Sequence, residues 1–183
     1  MIRIENLTVR FDGKTVFDHA SFELPDTGIV LLQGVSGIGK TTLLRVLAKT
    51  LQPDSGSVMG LEGRTVSFVF QEPRLLEWRT ALENVALVSD RETALSLLDR
   101  LGLSAESNTP TKNLSGGQKQ RVSLARAFAF GSDVVLLDEP FTGLDTENKH
   151  IAADLLRTAR LAIVVTHEPS DETFLNPQKK IRL

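Results

Sequence analysis

The 183-residue chain has no cysteine, one tryptophan and no long apolar run. Without thiols it forms neither disulfides nor thiolate sites, which removes thiol redox chemistry and is compatible with a cytosolic setting. Its apolar runs stop at about five residues, and Met1-Ile2-Arg3-Ile4-Glu5 lacks the apolar segment of a signal peptide. Contact with a membrane is therefore expected to run through another protein. A basic surplus is also missing: 21 Lys and Arg stand against 23 Asp and Glu, for a net charge of −2. Nucleic acid is not an expected partner. Apolar residues at 41% and charged residues at 24% are ordinary for a globular protein, and the length suits one domain with its own core.

What the chain does contain is Gly34-Val35-Ser36-Gly37-Ile38-Gly39-Lys40-Thr41, which fits G-x-x-x-x-G-K-[ST]. The run Ile29-Val30-Leu31-Leu32 before it reads as a strand buried on both faces, and Leu43, Leu44 and Leu47 after it have helical spacing. Strand, glycine loop and helix is the context a phosphate-binding loop requires. The glycines let successive N–H groups face one concavity, and the start of the next helix favours an anion there. Lys40 supplies a charge for terminal phosphates, and the Thr41 hydroxyl suits the shell of a bridging Mg²⁺.

Ahead of this loop, Ile2, Ile4, Leu7, Val9 and Phe11 alternate as a strand that slips phase at Glu5-Asn6. Asp12-Gly13 signals a hairpin turn, and Val16 to Leu24 returns as a second strand. From spacing alone Phe11 is a half-buried strand aromatic. Beyond the loop, a helix is expected to end near Gln52 to Gly56, and Thr65 to Phe70 reads as a strand that delivers Gln71. The following Glu72 to Trp78 is rich in large apolar residues, which suits either core packing or docking of a partner. Thr80-Ala81-Leu82-Glu83 and Ser89-Asp90-Arg91-Glu92 both fit the capping box, so two helices are expected, the second ending at Gly102. Leu103 to Asn113 reads as a polar linker. Leu114-Ser115-Gly116-Gly117-Gln118 opens another helix, whose glycine-rich start is a second ready-made anion site.

Val134 to Leu137 is a buried strand that delivers Asp138-Glu139 to the edge where parallel sheets bind ligands. On an extended strand the two carboxylates point opposite ways, so one is expected to reach a metal and the other a water. Asp145 can cap the helix that follows Phe141 to Leu144. Leu161 to Val165 is a further buried strand with His167 just past its end, while His19 and His150 receive no role. A last strand is expected from Lys179 to Leu183.

Taken together, these motifs resemble an ATP-binding cassette ATPase, the nucleotide-binding subunit of an ABC transporter, over nearly the whole chain. Gly34 to Thr41 matches Walker A, Gln71 the Q-loop, Leu114 to Gln118 the family signature, Leu136 to Glu139 Walker B, Thr142 to Asp145 the D-loop and His167 the switch histidine. The pentapeptide LSGGQ is the specific element. The resemblance implies an α/β P-loop NTPase fold, with a mainly parallel central sheet, a small N-terminal antiparallel β subdomain and a short helical subdomain. The boundaries expected are one domain over 1–183, with 1–27 antiparallel, 28–71 and 131–183 the RecA-like core, and 72–130 helical. It further implies that ATP is held by Phe11 at adenine, by Gly34, Ser36, Gly37, Gly39, Lys40, Thr41, Thr42 and Asp145, and by Ser115, Gly116, Gly117 and Gln118 of a second subunit. Mg²⁺ would be held by Thr41, Gln71 and Asp138. Catalysis would fall to Lys40, Gln71, the general base Glu139 and His167.

A head-to-tail homodimer or pseudo-dimer is implied, placed peripherally on the inner face of the cell membrane. An integral membrane subunit would dock at Gln71 to Arg79, whose sequence resembles importers of sulfonates, taurine, nitrate and related solutes. The chain departs from the family in being short in the helical insertion, between Asp145 and His167 and after the histidine, and in having Thr142-Gly143 for the commoner serine-led D-loop. Two rival readings are a soluble ABC ATPase of DNA repair or translation type and a nucleotide-gated binding module with little hydrolysis. The first usually brings coiled-coil insertions or a second cassette, neither of which is present. Intact Glu139 and His167 speak against the second.

Overall fold

The computed structural model describes residues 1–11 and 13–183. Asp12, half of the expected hairpin turn, lies outside the described residues. Strands β1 (Ile2–Phe11) and β2 (Lys14–Leu24) pair antiparallel from Ile2 opposite Leu24 to Phe11 opposite Lys14. Ile2, Ile4, Leu7 and Val9 are buried. The expected phase slip is taken up at Asn6, which turns left-handed with φ 50 while the register shifts between Ile4 and Leu7.

Next come β3 (Gly28–Gln33), the glycine loop and α1 (Lys40–Leu47). The helix stops well before the Pro53 and Gly56 that suggested its end. Lys49 adopts φ 56, and the N–H groups of Lys49 and Thr50 turn back onto the carbonyls of Val46 and Arg45, which closes the helix locally. A strand not anticipated from sequence, β4 (Ser55–Met59), then pairs antiparallel with β1, so the small sheet has the order β2-β1-β4 and reaches beyond residues 1–27.

After β5 (Val66–Val69), α2 (Ala81–Val85) begins with the expected capping box of Thr80 and Glu83. Helix α3 (Arg91–Arg100) is capped by Asp90 rather than Ser89, since Asp90 Oδ1 accepts the Thr93 N–H at 2.8 Å. The stretch expected as a linker is packed: Thr109 and Ser107 accept the N–H groups of Ala81 and Leu82, and Thr111 is fully buried in a 3-10 turn at Thr111–Asn113. Helix α4 (Gly116–Ala129), β6 (Val134–Asp138), α5 (Thr146–Leu156), β7 (Leu161–Val165), α6 (Asp171–Leu175) and β8 (Lys179–Arg182) complete the chain.

The larger sheet is wholly parallel in the order β5-β6-β7-β3-β8. Period-two alternation divides its side chains between two cores. Leu31, Val135, Leu137, Ala162 and Val164 face the core built with α2, α3, α4 and α5. Val30, Leu32, Val134, Leu136, Ile163 and Val165 face α1 and the antiparallel sheet. The ends of β3, β5, β6 and β7 therefore open together at the carboxyl edge, where ligands bind.

Candidate functional site

One cleft of about 440 Å³ at that edge is lined by Ser36, Gly37, Gly39, Lys40, Thr41, Thr42, Gln71, Asp138, Glu139 and His167, together with Val16 and Val165. Each polar group arrives from a different local device. Gly39 ends the loop with φ 110, and a β-carbon there would stand 2.6 Å from Val16 Cγ1, so only glycine lets β2 close over the loop. Lys40, at the first turn of α1, donates its ammonium to the carbonyls of Gly34 at 2.7 Å and Val35 at 3.0 Å. Those two bonds hold the charge inside the loop and leave a third proton for another acceptor.

Asp138 follows Val134 and Leu136 on the α1 face of β6, which brings Oδ2 within 2.8 Å of Thr41 Oγ1. Burial raises the Asp138 carboxyl above the ordinary carboxylate range; the Thr41 hydrogen bond opposes the shift, and the Glu139 charge adds to it. Glu139 does not continue the strand. It turns left-handed with φ 54, donates its N–H to Val165 O at 2.9 Å and swings its carboxylate into the cleft that Asp138 lines. This corrects the expectation of opposite directions: both acids serve one cleft because the second leaves the extended conformation, a strained choice for a non-glycine residue.

His167 meets Glu139 through Nδ1, 2.9 Å from Oε2, and its backbone N–H lies 3.4 Å from the same oxygen. The imidazole is 63% exposed. The Glu139 hydrogen bond, then the Glu139 charge, raises its pKa above the usual 6.5. With Nδ1 engaged, Nε2 is the nitrogen left for a ligand.

The remaining site candidates lie elsewhere. Gly34 borders an adjoining cleft with Val35, Ser36, His167 and Leu183. Phe11 is 41% exposed at the end of β1 and does not line the main cleft; Val16 of the opposite strand does. Ser115, Gly116, Gly117 and Gln118 form the start of α4, outside the cleft. Ser115 Oγ accepts the Gln118 N–H at 3.2 Å and Gln118 Oε1 accepts the Ser115 N–H at 2.9 Å, a complete capping box. The serine hydroxyl proton stays free to donate. Gly117 backs onto the loop before α5: a β-carbon on it would stand 2.5 Å from Gly143 O. Asp145 caps α5 by accepting the Asn148 N–H at 2.9 Å, as its position suggested.

Sequence reasoning missed Gln120. Buried on α4, it donates Nε2 to Pro140 O at 3.2 Å and so links the LSGGQ helix to the turn of Glu139. Nothing in its neighbours distinguishes it from a surface glutamine. Also missed was Asn84, fully buried on α2, which accepts the Leu76 N–H at 2.8 Å and donates to Leu76 O and Thr80 O. It clamps the loop that presents Trp78, 74% exposed. A further cleft of about 260 Å³ is lined by Val66, Phe68, Val88, Ala127 and Phe130 together with the polar Ser67, Ser123 and Arg126.

Among the described residues no group of three or more His, Cys, Asp and Glu could hold a metal alone. One carboxylate and one hydroxyl 2.8 Å apart, with Gln71 lining the same cleft, are instead the sparse oxygen donors that suit Mg²⁺ shared with phosphates. No described helix is long and apolar enough to cross a membrane.

A parallel sheet with a strand, glycine loop and helix holding a lysine against paired acids defines a P-loop NTPase. A family model described as ABC transporter matches residues 17–142. An aliphatic sulfonates import ATP-binding protein of Pseudomonas syringae pv. syringae is 39% identical, aligned over 96% of this chain and 76% of the relative. A taurine import ATP-binding protein of Rhizobium johnstonii is 36% identical over 97% of this chain and 78% of that one. A solved dimeric ATP-binding cassette in a post-hydrolysis state with ADP and Pi superimposes with a TM-score of 0.87 at 26% identity, covering 100% of this chain and 94% of its own. The chain belongs to the ABC transporter family, as an ATP-binding cassette ATPase.

Proposed function

We propose that the chain, one cassette over residues 1–183, hydrolyses ATP to power import of a small solute of sulfonate or taurine type. It does so as a cytoplasmic, peripheral subunit of a membrane complex. The solute class rests on the named relatives. The mechanism rests on one observation: the Lys40 cleft and the start of α4 are separate in one chain, and neither encloses a triphosphate alone. Two copies arranged head to tail bring Ser115 to Gln118 of one over the γ-phosphate held by Lys40 of the other, with Asp145 at the same junction.

In that closed site Lys40 and the loop amides of Gly34 to Thr42 hold the β- and γ-phosphates. The free N–H groups at the start of α4 and the Ser115 hydroxyl face the charge that develops on the γ-phosphoryl group. Glu139 takes the proton of the attacking water while the water oxygen bonds to phosphorus and ADP leaves. His167 Nε2 holds the γ-phosphate, and Phe11 supports the adenine. Thr41, Asp138 and Gln71 would hold Mg²⁺, which supplies charge neutralisation of the phosphates. Gln71 also joins the cleft to the loop of Leu75, Leu76 and Trp78, where the membrane subunit docks.

Glu139→Gln tests this directly. Hydrolysis should fall by roughly a hundredfold to ten thousandfold while ATP still drives dimerisation, read by phosphate release and light scattering. Near-normal turnover in that variant removes Glu139 from the chemistry.

A further inference from the structure

The turn that carries His167 is fixed from beneath by polar groups that do not line the cleft on which Lys40 stands. Thr166, buried at the end of β7, donates its hydroxyl to Asp171 Oδ2 at 2.6 Å, and Thr166 Oγ1 itself accepts the Glu168 N–H at 3.1 Å. Asp171, 2% exposed at the start of α6, accepts Lys149 Nζ on its other oxygen at 2.8 Å. Lys149 also donates to the Glu168 carboxylate at 2.7 Å. Both neighbours of His167 are thus bonded, one through its hydroxyl and the other through its amide and its carboxylate.

A buried carboxylate needs donors, and a lysine on a packed helix meets that need anywhere in a fold. Here the bonds converge on the two residues flanking one imidazole. That imidazole is mostly solvent-exposed, so packing does not aim it. Its direction is set by its turn and by the single contact to Glu139. Lys149 also sits one helical turn from the Asp145 cap, donating its N–H to Asp145 O at 2.9 Å. The same lysine therefore ties the His167 turn to the loop on which Gly117 rests.

The geometry points to Lys149, Asp171 and Thr166 as positioning residues that hold the His167 turn in register with Glu139 for ATP hydrolysis. The inference rests on the reading of His167 as a group that holds the γ-phosphate. A small displacement of such a group lowers turnover without lowering affinity, because the phosphate loop carries the binding.

The test measures steady-state hydrolysis, equilibrium ATP binding and thermal unfolding for Lys149→Met and Thr166→Val, each alone and combined with His167→Ala. Turnover should fall about tenfold to a hundredfold with KM and ATP affinity kept within about twofold, and Lys149→Arg should recover most of it. Neither substitution should add to His167→Ala, since both act through that side chain. Unchanged turnover in both variants overturns the proposal, as does a matching fall in ATP affinity or a full further loss on top of His167→Ala. Should Lys149→Met fail to fold, Thr166→Val decides, because it keeps the side-chain shape and strands no charge. The His167 reading fails separately, through unchanged turnover in His167→Ala itself.

Discussion

The two anion-facing ends of this molecule are built on opposite plans. Around Lys40, charge is concentrated: an ammonium from α1, two carboxylates from the end of β6 and an imidazole from the turn after β7 line one cleft, both acids are buried and the second is strained into place. Around Ser115 there is no charged side chain in the pentapeptide, only a capped helix start with small residues. In the proposed mechanism the first end binds and cleaves a triphosphate but has one open side; the second has amides and a hydroxyl with nothing of their own to hold. Each lacks what the other supplies, which is why the proposed mechanism needs a second copy.

Substitution at each end should separate binding from turnover. Gly117→Ala places a methyl group against Gly143 O, so it should distort the α4 start and lower hydrolysis by about a hundredfold. ATP binding to the isolated chain should persist, measured by titration calorimetry; loss of binding would put the pentapeptide in the same half-site as Lys40. A smaller effect tests the charge arrangement. In the nucleotide-free chain the His167 imidazole should titrate above 6.5, because protonation completes its contact with Glu139. The contact is complete below the ordinary histidine pKa and is lost as pH rises through the raised one. Glu139→Gln should return the midpoint toward about 6.5, followed by NMR; an unmoved midpoint would show that Glu139 does not set it. The smallest effect concerns neither end. Trp78→Ala should leave hydrolysis by the chain alone within about twofold while abolishing assembly with the membrane subunit. Retained assembly with lost hydrolysis would remove docking from that loop.

The contrast between the two ends also explains what could be read from sequence. The phosphate loop was legible because its signals are local: glycines, a lysine and a hydroxyl in one octapeptide between a buried run and a helical one. The same holds for the Thr80 capping box and for the buried strands of the parallel sheet. Strand β4 was not legible, since Ser55-Gly56-Ser57 is exposed and lacks alternation, and only pairing with distant β1 makes it a strand. The Glu139 turn was missed because a left-handed glutamate is set by its surroundings, here Val165 O and His167, and not by its own preference. Gln120 and Lys149 are ordinary in their local sequence and become informative only through backbone and carboxylate groups some twenty residues away, and Asn84 only through the fold of the loop just before its helix.

The divided site is tested most directly by mixing two inactive variants, Lys40→Ala and Ser115→Arg. In a head-to-tail dimer one of the two sites in each mixed pair regains an intact phosphate loop facing an intact α4 start. Phosphate release from the mixture should rise well above that of either variant alone. Release no higher than the average of the two would contradict a site shared between subunits.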